Sequence, residues 1–198
     1  MSNKCNQISN QSQNLIAGLI SQDNSVEFFG IRKTKEVRFI QNGQVKLFNE
    51  LPPEYYDLLQ KAYKKDMFAY RYLRKQYRGD SVKQVEMYTY YCYGALDHTP
   101  DIIEGFLQPA ENFRDKINCV SLKFESKQIT IDNKPLSQED LEIIDLVAQD
   151  FPDKTIADHL GIPLPTLNSR KKSLFKKTNV QTKTALLKKA MQENIPVI

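Results

Sequence analysis

At 198 residues, 40% hydrophobic and 26% charged, the chain has the composition of a soluble globular protein, long enough for two small domains. No apolar run reaches the roughly 18 to 20 residues of a membrane helix, the Asn/Gln/Ser-rich start lacks a secretory pattern, and three dispersed cysteines form no disulfide framework. A cytoplasmic protein with no membrane partner is therefore expected. The net charge of +4 hides a segregation: residues 164–190 carry Arg170, Lys171, Lys172, Lys176, Lys177, Lys183, Lys188 and Lys189 and no acid, whereas 136–160 carry seven acids against Lys154 alone.

Residues 1–13 are polar without an apolar period and are expected to be disordered, with a helix opening near Asn14. From Glu36 to Phe48, two β-rich runs flank Asn42-Gly43, a pair suited to the positive φ angles of a tight hairpin turn. Pro52 and Pro53 open a helix with Tyr55, Tyr56, Leu58, Leu59, Ala62 and Tyr63 spaced for one face. Helical patterns follow over Met67–Tyr77 and Val82–Tyr93, separated by Arg78-Gly79-Asp80. All ten tyrosines fall between Tyr55 and Tyr93. Interleaved with lysines and arginines, they suit a stacking surface for single-stranded nucleic acid; at helical spacing they suit a core of buried rings and exposed hydroxyls, the preferred reading.

Residues 95–113, with Pro100, Gly105 and Pro109, read as irregular chain with at most short helical turns. Cys119–Ile131 alternates as a second hairpin around Glu125–Lys127, and Asp132-Asn133-Lys134-Pro135 reads as a break and a domain boundary. Cys92, His98 and Cys119 lack an obvious fourth metal ligand and read as core or surface groups, so no metal or cofactor is expected.

From Leu136 the helix signals are regular. Ser137 caps a helix over Gln138–Gln149, with Asp140 at the reciprocal capping position and Leu141, Ile144, Val147 and Ala148 on one face. Pro152 starts a short helix with Ile156, Ala157 and Leu160, Gly161 permits a tight turn, and a third helix runs from about Leu164 to Thr178. A fourth spans about Thr182–Glu193. This is helix-turn-helix spacing. Asn168, Ser169, Lys172 and Lys176 share a polar stripe of the third helix, opposite Leu167 and Leu174. The fold expected is mainly α: a mixed α+β N-terminal domain over 14–131 with short β-hairpins, regulatory or dimerising, then a four-helix helix-turn-helix domain over 136–198.

The segment Leu136–Ile195, about a third of the chain, resembles the LuxR/GerE-type helix-turn-helix of bacterial regulators. The resemblance is carried by Leu136-Ser137, Leu146-Val147-Ala148, Lys154 with Ile156-Ala157, Leu160-Gly161-Ile162, Thr166-Leu167, Leu174-Phe175, Lys177 and Val180. It implies base contacts from Asn168, Ser169 and Lys172, and phosphate contacts from Lys154, Thr166, Arg170, Lys171, Lys176, Lys177 and Lys183. The sequence departs from the family pattern at Glu139-Asp140, Asp150, Pro163, Asn168 and Arg170, so no target sequence is carried over.

The function this implies is sequence-specific binding of double-stranded DNA in transcriptional regulation, by a homodimer pairing two half-sites. RNA polymerase, a small molecule or a protein effector are further candidate partners. The alternative is a protein-interaction adaptor that uses the same fold without DNA. His98 and His159 are the only histidines, and no phosphate loop, nucleophile triad or paired-carboxylate pattern accompanies them, so no catalytic residues and no enzyme activity are expected.

Overall fold

The computed structural model describes residues 15–21 and 24–196; the segment 1–13, expected to be disordered, lies outside them. The fold is mixed α+β and mainly helical. The chain divides into two compact units, the first of residues up to 111 with 123–126, the second of 112–122 with 127 onward. The division thus falls upstream of the expected boundary at Asp132–Pro135.

In the first unit, β1 (Glu27–Ile31), β2 (Glu36–Gln41) and β3 (Gln44–Leu47) form an antiparallel sheet in that order. Asn42 and Gly43, at φ 52° and 76°, turn the β2–β3 hairpin as their residue types require. β1 was not foreseen, because Glu27-Phe28-Phe29-Gly30-Ile31 does not alternate; Phe28 opposes Phe39 in the sheet, and both are fully buried. No helix opens near Asn14 among the described residues. Ala17 N–H instead donates to the Asp97 carbonyl and the Gly18 carbonyl accepts from Gly43 N–H, so this backbone is committed to other loops.

Helices α1 (Pro53–Lys65), α2 (Met67–Gln76) and α3 (Ser81–Cys92) follow the apolar periodicity, and Asp66 and Asp80 cap the second and third by accepting backbone N–H bonds. Tyr63, Tyr88, Tyr90, Tyr91 and Tyr93 are buried and the other five tyrosines half-buried, so the rings are core and not a stacking platform. In place of short helical turns, β4 (Ile102–Ile103) and β5 (Phe106–Leu107) pair across Glu104-Gly105. The hairpin expected around Glu125–Lys127 is absent. Phe124 stacks on Tyr88, and Ser126 N–H and Oγ–H both donate to Asp66 Oδ2, so a side chain takes the backbone donor a strand would have used. The pairing occurs later, between β6 (Thr130–Ile131) and β7 (Lys134–Pro135), where Asp132 and Asn133 at φ 50° and 59° make the turn.

The second unit is built on α4 (Gln138–Ala148), α5 (Asp153–His159), α6 (Leu164–Lys177) and α7 (Lys183–Gln192), with α4 packed on the other three and α5 on α6. Their shared core includes Leu141, Ile144, Val147, Ile156, Leu167, Leu174, Leu186 and Ile195. Ser137 and Asp140 form the expected reciprocal cap of α4. Arg114 is clamped by Asp145 through two bonds of 3.0 and 2.8 Å and donates to the Ile195 carbonyl at 2.6 Å.

All four helices stop by the same device. Asp150, Gly161, Asn179 and Asn194 have left-handed φ of 58°, 62°, 52° and 55°. Each next residue, Phe151, Ile162, Val180 or Ile195, returns its N–H to a carbonyl five positions back and contributes apolar surface to the core. Glycine at Asp150 relieves the left-handed strain. We expect Asp150→Gly to raise stability by up to about 1 kcal/mol, read as a higher urea midpoint with unchanged slope.

Candidate functional site

The α5–turn–α6 segment presents a polar helix face on an apolar support. Ile156 and Ala157 bury α5, and the turn at Gly161 carries the chain to Pro163, whose ring suits the entry to α6. On α6, Leu167, Lys171, Leu174 and Thr178 form the buried stripe, at spacings of four, three and four. The opposite face exposes Asn168, Ser169, Lys172, Ser173 and Lys176. The three residues expected to read bases therefore lie together on an exposed surface, with Lys176 one turn beyond Lys172. Thr166 is half-buried in the first turn.

The cations of this region, those expected at phosphates among them, fall into three groups. Lys171, only 9% exposed, donates to Asp153 Oδ2 at 2.7 Å and is taken up by the scaffold. Arg170 pairs with Glu139 at 3.3 Å, Lys177 with Asp140 at 2.5 Å and Lys183 with Asp153 at 2.5 Å, all with some solvent access. Lys154, Lys172, Lys176 and Lys188 are exposed and make no ion pair among the described residues. Acids and bases sorted along the chain are thus brought face to face. The acids at the starts of α4 and α5 neutralise the inward flank of α6, leaving its positive potential outward.

The burial of Lys171 was readable from its spacing of four after Leu167 and three before Leu174, which places it in the core stripe. Its pairing with Asp153 was not, because the two residues belong to different helices.

No protein-family model, characterised protein or solved structure matches this chain.

Asp153 joins two of these lysines. Burial pushes its carboxyl up, but hydrogen bonds and charge from Lys171 and Lys183 outweigh it and hold the carboxyl below its ordinary value of 3.8. A depressed acid contributes stability above its ordinary value and loses it as pH falls through the folded value. Asp153→Asn should therefore be less stable than wild type at neutral pH, with the difference closing in acid below that range. Urea midpoints of both proteins from pH 7 to pH 2 measure this.

The other groups raised by the sequence lie elsewhere. Cys119 Sγ is 3.0 Å from Ser121 Oγ in the second unit, Cys92 is buried on α3, and His98 Nδ1 lies 2.9 Å from the Leu15 carbonyl in the first unit. His159 stacks on Phe151 at 5.2 Å between ring centres and bonds the Thr155 carbonyl through Nδ1. In the first unit a cavity of about 530 Å³, lined by Asp66, Tyr88, Tyr93, Leu107, Pro109 and Ser126 among others, is of the size that accepts a small molecule.

Proposed function

We propose that the protein is a sequence-specific double-stranded DNA-binding regulator in which α5, the Gly161 turn and α6 act as a helix-turn-helix and α6 enters the major groove. The observation that carries this reading is the acid-free exposed face of α6, with Asn168, Ser169, Lys172 and Lys176 in one stripe over a neutralised inner flank. Amide and hydroxyl groups offer the paired donors and acceptors that base edges present, and lysines supply charge for phosphates. The similarity to the LuxR/GerE pattern supports the reading in one further respect. Where that family has glycine after its first helix, Asp150 here stands in the left-handed conformation that glycine favours.

Under this proposal the contact set is Asn168, Ser169 and Lys172 at bases, with Lys154, Thr166 and Lys176 at phosphates. Arg170, Lys177 and Lys183 join only by exchanging their carboxylate partners, and Lys171 is excluded by burial. A single module of this size seldom reaches specific affinity, so two copies on two half-sites are part of the proposal.

The test is selection of bound duplexes from a random-sequence library by the full chain, then titration of the enriched duplex at increasing salt. The expected result is an enriched two-part motif with half-sites about 10 bp apart and an affinity that falls steeply with salt. No enrichment, together with a salt-independent affinity, would overturn it.

A further inference from the structure

The first unit contains a group of acids that the α6 reading does not use. Glu27 on β1, Asp97 and Glu111 each bring a carboxylate oxygen within 4.8 Å of the others. Their orientations are built by the backbone. Glu27 Oε1 accepts from Asp97 N–H at 2.8 Å, Asp97 Oδ1 from Thr99 N–H at 2.7 Å, and Glu111 Oε2 from Ala95 N–H at 2.9 Å. Beside them Asp101, 2% exposed, accepts from Phe28 N–H at 2.7 Å.

Glu27 is the decisive member. Its side chain is fully buried, yet Oε2 has no hydrogen-bond partner among the described residues. An ionised carboxylate left in that position, facing further acids, is strongly unfavourable unless it takes up a proton or a cation. Burial, then the Glu111 and Asp97 charges, push the Glu27 carboxyl up to about 9. Burial and the Glu111 and Glu27 charges push Asp101 the same way.

We propose that Glu27, Asp97 and Glu111 form a binding site for a divalent cation of the calcium class, with Asp101 adding negative charge beside it. All the donors are hard oxygens, which suits calcium or magnesium over softer metals. Calcium accepts irregular sets of carboxylates, whereas magnesium demands near-octahedral geometry and is usually held by one or two carboxylates, so three acids gathered within 4.8 Å of one another favour calcium. Asp97 and Glu111 are half-exposed and give the ion its entry, while Glu27 closes the inner side. The site stands apart from the DNA reading and neither depends on the other.

Calorimetric titration of chelator-treated full-length protein with CaCl2, and separately with MgCl2, at pH 6, 7 and 8 tests the site. One saturable calcium event per chain is expected, tighter than magnesium. Glu111→Gln should weaken it at least tenfold with an unchanged circular dichroism spectrum. Glu27→Gln should abolish it while leaving the cation-free melting temperature equal or higher, since a neutral amide relieves the repulsion among the clustered acids. Absence of saturable heat from folded wild-type protein at millimolar calcium and pH 8, tighter binding of magnesium, or binding that survives both substitutions would overturn the proposal.

Discussion

Replacing Arg114 by Ala is expected to destabilise the C-terminal unit by about 3–5 kcal/mol, enough to leave a large fraction of it unfolded at moderate temperature. Arg114 and Asp145 are each 1% exposed, and the guanidinium meets both carboxylate oxygens as well as the Ile195 and Ile117 carbonyls. The fork geometry places several charge-assisted bonds in one dry location. Removing the arginine leaves the Asp145 charge buried without its counter-ion and deprives two carbonyls of a donor. The loss should exceed that of an ordinary surface ion pair several-fold. The paired variant Arg114→Met with Asp145→Leu removes both charges and should recover much of the loss. Urea unfolding followed by circular dichroism, with hydrogen exchange over α4, measures the effect. A change below about 1 kcal/mol in the single variant would show that water reaches the pair.

The second large effect concerns binding. In the proposed complex, Asn168→Ala should weaken the selected duplex by about 1–3 kcal/mol, or roughly 5- to 150-fold, and relax the base preference at one position. Lys176→Ala should weaken all duplexes alike and reduce the salt slope by about one per copy. Neither residue is buried, so the melting temperature should stay near that of wild type. Lys171→Ala provides the contrast. It lies among the cations of the same helix, but its loss should lower stability, through the lost bond to Asp153 and the vacated core stripe, more than it lowers affinity in the surviving folded protein. Equal affinity losses for Lys171→Ala and Lys176→Ala, at equal folded fraction, would refute the division between scaffold and contact cations.

Much of this architecture is carried by local signals. Asn42-Gly43 located a hairpin, because only a few residue types adopt two successive positive φ angles. Pro53, Asp80, Ser137 and Gly161 punctuated helices whose apolar spacing gave their inner faces. What escaped depends on partners distant in sequence. β1 has no pattern of its own and is defined by β2. The alternation around Phe124 and Ser126 is strand-like, whereas the tyrosine core and Asp66 hold them. Asp132-Asn133 reads as a break in sequence, though the same two side chains are suited to the turn they make. At the proposed DNA-binding face, helical periodicity grouped Asn168, Ser169 and Lys172, but which lysines remain outward depended on Glu139, Asp140 and Asp153 in other helices. The four acids of the Glu27 cluster are spread from β1 to residue 111, with no spacing that would announce a cation site.

The Arg114 clasp also has a meaning in time. It joins a residue that precedes all four C-terminal helices to the carbonyl of Ile195, 81 positions later. Each helix can stop and turn back using only residues already made, through Asp150, Gly161, Asn179 and Asn194. The clasp must wait. During synthesis Arg114 leaves the ribosome long before Ile195, so the helices can form in order while their common core stays open until the last of them arrives. A ribosome-bound chain halted after α6 should accordingly be helical yet readily cleaved by protease, and become resistant only when Ile195 has emerged.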